Sequence, residues 1–348
     1  MQNRKILITG GLGYLGSHTA LKLLQSDFSL VLLDNFSNSQ KKTLELLQKK
    51  GGEKVVFYEN DMRDFEGLQE IFEKEPEIWM VLHFASKNKQ KESCIEPFLY
   101  YESNIQGTLN LLKIMEIKKI KNLIYSSTNA IYDHDKNIPP FAENDKVKAT
   151  TPYGTTKLII EQILKDMTTH KNFNILCLRH FNPIGAFPEF GLGYMPKGIP
   201  TKIIPLLIKV AKGEIESFPI YGEKYPTKDG SCLMDYIHIA DVTEAHKKMI
   251  DYLFEKTKET TNEINLPKAV FEVVNICTGV GKTIKELIEL TELVTNQKIP
   301  YQTFPERTGD HGIVLGNNNK LRSMFHREPQ KTVLEAIEDE WKFENTLS

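Results

Sequence analysis

The sequence predicts an α/β fold: a doubly wound parallel sheet followed by a smaller C-terminal α/β domain. Three observations carry this. Strand-like and helix-like segments alternate through roughly the first half of the chain, which demands parallel strands with right-handed crossovers. The strand-like runs are continuously apolar, as suits strands covered on both faces. A glycine-rich turn lies where the first strand meets the first helix.

The elements follow in order. KILIT (5–9), LVLLD (30–34), KVVFY (54–58), WMVLHF (79–84), NLIYSS (122–127) and FNILCLR (173–179) read as strands. YLGSHTALKLLQS (14–26) and NIQGTLNLLKIME (104–116) carry helical periodicity between them. After Asn182 the character changes, and PIGAFPEFGLGYMPKGIP (183–200) reads as a long loop. IIPLLIKVAKG (203–213) and TIKELIELTELV (283–294) read as helices, VVNICTG (273–279) as a strand, and TKETTNEINLPK (257–268) as an exposed connection. The expected division is 1–182 with a return segment at 234–276, against 183–233 with 277–348.

Composition excludes several classes. The 348 residues carry 44 Lys and Arg against 46 Asp and Glu, a net charge of −2, and no basic stripe points to nucleic acid. The lysines of 41–50 and 113–122 read as solvated helix faces. Cys94, Cys177, Cys232 and Cys277 form no CxxC pair, which argues against a disulfide framework or zinc knuckle and fits a reducing compartment. No apolar run is long enough to span a bilayer and no signal segment is evident, so the expected location is cytoplasmic. Asp133, His134 and Asp135 have metal-ligand side chains, but they sit in a polar loop without further ligands at useful spacing, and no metal is expected.

TGGLGYLG (9–16) places Gly10, Gly13 and Gly16 after a strand and at a helix start, with Tyr14 and Leu15 between them. Such a turn lets backbone approach a pyrophosphate at the helix N-terminus. Asp34 ends the second strand, 34 − 16 = 18 residues past the last glycine. A carboxylate there binds ribose hydroxyls and repels a 2′-phosphate, which favours NAD over NADP. Asp61, after the third strand, is placed to approach the adenine. The C-terminal ends of strands four and five, HFAS (83–86) and YSSTNAIY (125–132), should also face the ligand. His18 and His83 read as packing or hydrogen-bonding residues.

TPYGTTK (151–157) puts Tyr153 one turn before Lys157 in a helix with Thr151 as N-cap and Pro152 at its first position. Ile160, Ile163, Leu164 and Met167 supply the buried stripe. A free phenol has a pKa of about 10. An ammonium one turn away and the helix dipole both favour the phenolate, so proton exchange near neutrality is expected. Taken alone, the pair also fits an ordinary amphipathic helix. The hydroxyls of Ser126, Ser127 and Thr128 add a partner for a substrate oxygen.

With these residues assembled, nearly the whole chain resembles the extended short-chain dehydrogenase/reductases of the Rossmann type, and within them the nucleotide-sugar 4-epimerase branch. TGGLGYLGSHT (9–19), LDNFSNS (33–39), HFAS (83–86) and the Tyr153–Lys157 pair carry the superfamily likeness. RHFNPIGA (179–186), GIPTKIIP (198–205), YPTKDG (225–230), DYIHIADV (235–242) and ERTGD (306–310) carry the branch. The resemblance implies NAD-dependent 4-epimerisation of a UDP-hexose: oxidation at C4, turnover of the keto sugar, and return of the hydride. It implies Tyr153, Lys157 and Thr128 as catalytic residues. It implies cofactor contacts from Gly10, Gly13, Tyr14, Leu15, Gly16, Asp34, Asn35, Asp61, Met62, Phe84, Ala85, Asn104, Tyr153, Lys157 and Phe181. It implies substrate contacts from Thr128, Asn182, Lys202, Ile203, Tyr221, Arg307, Asp310 and Val314. A homodimer through helices around 92–116 and 152–168 is implied as well.

The chain departs from the branch pattern at several positions. Thr128 replaces the usual serine and keeps the hydroxyl. Met234 stands where the branch has an arginine on the substrate diphosphate, a loss of roughly 1.5–3 kcal/mol for a charge-assisted contact; Lys202 is a candidate for compensation. Asn88 replaces a lysine that touches the cofactor, and Asp133 a glycine. At Val314 the branch has tyrosine or a small residue, the small form going with N-acetylated sugars. Two rivals stay open: another extended-family enzyme on a nucleotide sugar, which Asn129 and Ala130 disfavour for a dehydratase, and a non-catalytic NAD-binding module.

Overall fold

A computed structural model describes residues 4–258, 269–307, 311–325 and 329–347. They form two compact units: 1–132, 147–179 and 243–274 make the first, and 133–146, 180–242 and 275–348 the second.

The first unit is built on strands β1 (Lys5–Thr9), β2 (Ser29–Asp34), β3 (Val55–Glu59), β4 (Ile78–His83), β5 (Asn122–Thr128) and β6 (Asn174–His180). Short strands follow in the chain: β7 (Asn182–Ile184), β8 (Phe218–Tyr221), β9 (Leu233–His238), β10 (Phe271–Ile276), β11 (Gly281–Thr283), β12 (Tyr301–Phe304) and β13 (Ile313–Val314). The main sheet has seven strands in the order β10-β6-β5-β4-β1-β2-β3. Neighbours from β3 through β5 pair in parallel, with Thr9 opposite both Leu33 and His83. The strand order reverses between β1 and β4, and ligands of open α/β sheets bind at the carboxyl ends beside that switch point.

Helices alternate with these strands: α1 (Tyr14–Gln25), α2 (Lys41–Gly51), α3 (Phe65–Lys74), α4 (Gln90–Ile95), α5 (Pro97–Tyr100), α6 (Gly107–Ile117) and α7 (Pro152–Lys171). The chain continues with α8 (Ile203–Ala211), α9 (Ile239–Lys258), α10 (Ile284–Thr295), α11 (Asn319–Phe325) and α12 (Val333–Thr346). The apolar strand runs are fully covered: Ile6, Leu7 and Ile8 are 0% exposed. A fully buried aliphatic side chain of this size contributes about 1.5–3 kcal/mol.

α7 forms as its sequence directs. The Thr151 hydroxyl accepts from the Gly154 N–H at 3.2 Å, Pro152 starts the helix, and Asn172 ends it in the left-handed conformation. Ile160 and Leu164 face the core, where they join residues of β4, β5 and α6. The helix expected over 104–116 instead begins as a π-helical turn at Tyr101–Gln106 and becomes α-helical at Gly107. Single π turns recur at functional sites.

The second unit carries a sheet in the order β11-β9-β13, with β7 also on β9, and a separate β12–β8 pair. Its core gathers α8, α10 and α12 around Ile204, Leu207, Ile208, Leu287, Ile288 and Ile337. Capping boxes at Thr283/Glu286 and Thr332/Glu335 start two of these helices.

The division differs from the expected one in four places, the smallest being 275–276, which fall in the second unit. Residues 133–146 group with the second unit, and so do 180–182. The return segment joins the first unit only from Thr243, because β9 pairs with β7, β11 and β13. The long loop at 183–200 is shorter than it reads, since β7 takes its first residues and a helical turn forms at Pro188–Phe190. Of the connection at 257–268, Thr257 and Lys258 end α9 and the rest lies outside the described residues.

Candidate active site

In the first unit the glycine turn is shaped by close approach. Gly10 has φ +67°, and a Cβ there would meet the Ala85 nitrogen at 2.7 Å. A Cβ at Gly16 would meet the Gly10 carbonyl oxygen at 2.2 Å. Both obstacles are backbone, so neither can yield cheaply. Gly16→Ala is therefore expected to destabilise the protein by about 1–3 kcal/mol, read as a lowered melting midpoint; an unchanged midpoint would refute the close approach. α1 starts at Tyr14, followed by Leu15 and Gly16, with no side-chain cap at Gly13 and no acidic residue in its first turn. That leaves the positive end of the helix dipole for an anion. The cradle fits a pyrophosphate.

Asp34 sits at the carboxyl end of β2, 8% exposed. Its Oδ2 accepts from the Leu12 N–H (3.1 Å), and its Oδ1 from the Phe36 N–H (2.9 Å) and the Ser39 hydroxyl (2.7 Å). A carboxylate has about four acceptor positions, so it retains capacity for a hydroxyl donor. Asn35 donates to Asp61 at 2.9 Å. Arg63 grips the Asp61 carboxylate through Nε (2.9 Å) and a terminal nitrogen (3.0 Å), and with other donors holds its pKa down at about 2. The Met62 carbonyl accepts from Asn110.

Thr9, at the end of β1, is the next junction. Its carbonyl accepts from the Phe84 N–H at 3.0 Å, and its hydroxyl meets His83 Nδ1 at 2.7 Å. His83 Nε2 meets the Thr108 hydroxyl at 2.9 Å, and burial with the nearby Lys157 charge pushes the ring pKa down to about 3. His18 donates to the Tyr14 carbonyl at 2.7 Å. Asn104 uses its amide on the Lys87 backbone (2.8 and 3.0 Å) and on the Thr156 hydroxyl (3.0 Å). It thereby ties the loop after Ala85 to the first turn of α7.

Tyr153, Lys157 and Thr128 do come together. Tyr153 is 8% exposed, and the Thr128 side chain acts on its phenol, favouring the phenolate against burial. The Lys157 ammonium donates to the Ser126 carbonyl (2.8 Å) and to the Ser86 hydroxyl (3.1 Å). It lies 4.8 Å from the Tyr125 ring centroid and 6.0 Å from that of Tyr153. The electrostatics differ from the sequence expectation. Burial drives the Tyr153 phenol up to about 12, although Thr128 opposes the shift, and drives Lys157 down to about 7. Desolvation disfavours both charged forms here and outweighs the attraction expected from helix spacing.

Sequence reasoning missed the support beneath this pair. Arg179 on β6 holds Glu161 on α7 with two hydrogen bonds, 3.1 and 2.8 Å, and Ser127 donates to the same carboxylate at 2.5 Å. The signal was available: Glu161 lies four residues after Lys157, and Arg179 interrupts an apolar strand.

The expected substrate residues that the structure describes lie in the second unit, apart from Thr128. Asn182 donates to the Asp235 carbonyl at 2.8 Å, and Phe181 is buried beside it in sequence. Lys202 donates to the Pro183 carbonyl at 2.9 Å, and burial lowers its pKa to about 8. Ile203 opens α8. The Arg307 guanidinium stacks 4.2 Å from the Tyr221 ring centroid. Met234 joins the second core and lies in register between Lys282 and Val314 on the neighbouring strands. Asp310 lies outside the described residues. His134 stacks on His311 at 3.5 Å. Among the described residues no group of three or more His, Cys, Asp or Glu is arranged to hold a metal, and no helix is long and apolar enough to cross a membrane.

Known proteins are similar to this chain over nearly its whole length. UDP-glucose 4-epimerase of Bacillus subtilis is 35% identical over 342 residues, covering 98% of this chain and 97% of its own length. UDP-glucose 4-epimerase from Stenotrophomonas maltophila, crystallised with NAD and formylated UDP-arabinopyranose, superposes with a TM-score of 0.90 at 31% identity, covering 99% and 98% of the two chains. The Bifidobacterium longum enzyme, in complex with NAD+ and UDP, gives 0.89 at 33%, covering 98% of each. Residues 6–265 match the model of one family, which agrees with the glycine cradle and the Tyr153–Lys157 pair: the chain belongs to the NAD dependent epimerase/dehydratase family.

Proposed function

We propose that the protein interconverts the 4-epimers of a UDP-hexose, UDP-galactose and UDP-glucose, with NAD as cofactor. The observation that carries this reading is the convergence of Tyr153, Thr128 and Lys157 in the unit that holds the glycine cradle. NAD, when bound, supplies the hydride acceptor and donor. The protein's own residues do the rest. The Tyr153 oxygen takes the proton of the sugar 4-hydroxyl and gives it back, while the Thr128 hydroxyl holds the 4-oxygen. Lys157 holds the nicotinamide ribose and favours the phenolate.

The α1 N-terminus and its glycines hold the pyrophosphate, Asp34 the adenosine ribose, and Asn35, Asp61 and Met62 the adenine side. Phe84, Ala85, Asn104 and Phe181 complete the cofactor set, with Asn104 acting through the backbone it fixes. Asn182, Lys202, Ile203, Tyr221, Arg307 and Asp310 hold the nucleotide diphosphate. Arg307 is the leading cation of this set, because the Lys202 ammonium is committed to the Pro183 carbonyl.

A homodimer fits the apolar side chains left outside on adjoining helices of the first unit: Ile95 (76% exposed), Phe98 (80%) and Ile159 (38%). Sedimentation of the wild type as a monomer would dismiss it. Cytoplasmic residence fits four cysteines with no CxxC spacing among them.

The deciding experiment gives purified protein and NAD either UDP-galactose or UDP-N-acetylgalactosamine and follows the products by NMR. The gluco epimer is expected with UDP-galactose. Absence of any epimer, with NAD binding confirmed, would favour the non-catalytic reading that Met234 motivates. In the same experiment Val314 is expected to admit the N-acetylated sugar. Brisk turnover of UDP-galactose alone would remove that role.

A further inference from the structure

The Lys157 ammonium is buried among groups that are mostly neutral. From β5 it faces the Ser126 carbonyl and the Tyr125 ring; from β4 and the loop beyond it, His83 and the Ser86 hydroxyl. From its own helix it faces Tyr153 and Glu161. Glu161 is the anionic member of this set, one helical turn along the same face.

Its carboxylate is fixed. Arg179 spans both oxygens from β6, and Ser127 donates from β5. Arg179 in turn lies 4.9 Å from the Tyr132 ring centroid. Both charged side chains are nearly excluded from solvent, at 6% and 7% exposure. A buried ion pair is a weak source of stability. Placed one turn along from a buried amine whose other neighbours are mostly neutral, it has an electrostatic use.

We propose that Glu161 is a positioning residue of the active site: locked by Arg179 and Ser127, it raises the protonated share of the Lys157 amine at neutral pH. The inference rests on the proposed role of Lys157 but is tested without it. The fold brings one anion and two cations together, so the cluster carries a net positive charge that a phenolate at Tyr153 would balance.

The test is a 13C NMR titration of protein labelled at lysine Cε, with the Lys157 signal assigned by its loss in Lys157→Arg. The wild-type midpoint is expected near 7, the value to which burial brings it. Glu161→Gln is expected to lower the midpoint by about one unit, and Glu161→Asp to restore most of it. The alkaline limb of kcat should move with the midpoint. Should Glu161→Gln fail to fold, Glu161→Gln/Arg179→Gln removes both members of the ion pair without stranding a buried guanidinium, and a smaller drop is expected because the opposing cation goes with the carboxylate. An unmoved midpoint in whichever variant folds overturns the proposal. Epimerase assays on the same samples separate the two readings. A moved midpoint in a protein that does not epimerise UDP-hexoses leaves the Glu161 role standing and sinks the proposed function. An active wild type with an unmoved midpoint sinks the Glu161 role alone.

Discussion

Tyr153→Phe is expected to lower kcat for UDP-galactose epimerisation by about 10³-fold while leaving the fold intact. The phenyl ring is retained, so no cavity opens where Tyr153 packs. Only the oxygen goes, and with it the interaction of the phenol with Thr128. Positioned acid–base groups contribute about 10²–10⁴-fold. A drop of less than tenfold, with stability preserved, would remove Tyr153 from the chemistry.

The charge state of that phenol can be checked separately. Burial holds it up at about 12, so the protein without cofactor should show no phenolate absorbance from Tyr153 at neutral pH. Positive charge brought close to the ring would lower the titration, and cofactor binding is the natural source. The Phe variant serves as the blank. A Tyr153 phenolate already present at neutral pH without NAD would show that desolvation does not dominate here.

The parts of this site that were legible in sequence are those fixed by short-range rules. β1 was read to the residue, because an apolar run ending in a glycine turn has one interpretation. The start of α7 was legible because Thr151 and Pro152 are cap and first-turn residues with local causes. Asp34 was legible through its distance from Gly16. What escaped was decided by long-range packing. The π turn at Tyr101–Gln106 has no periodicity signature, and its Asn104 acts through Lys87 and Thr156 rather than through sequence neighbours. By sequence, residues 234–242 are expected with the first unit; the pairing of β9 with β7, β11 and β13 is set by tertiary contacts. The pKa values failed for the same reason. Helix spacing reveals that Tyr153 and Lys157 are neighbours, but not that both are removed from water.

That removal makes Lys157→Met the more informative variant. It is expected to abolish useful turnover, by about 10²-fold or more, and at the same time to raise the melting midpoint. The amine has an ordinary pKa of 10.5 and is held at about 7 by burial. Its folded pKa is depressed, so the unfolded chain binds the extra proton between these values. The energetic penalty of burying Lys157 is therefore complete below about 7 and disappears as pH rises to 10.5. At 1.36 kcal/mol per unit the 10.5 − 7 = 3.5 units bound the penalty at about 5 kcal/mol. Loss of the donor to the Ser126 carbonyl offsets part of it, by about 1–3 kcal/mol. Glu161 keeps Arg179 as its partner, so methionine strands no carboxylate. A net gain of at most about 2–4 kcal/mol near neutrality remains, in line with apolar replacement of other buried charges. The gain should shrink steadily as the buffer is taken from neutral to alkaline. A variant less stable than wild type at neutral pH, or a gain that grows with pH, would mean that Lys157 is held in this site by compensation rather than against a cost.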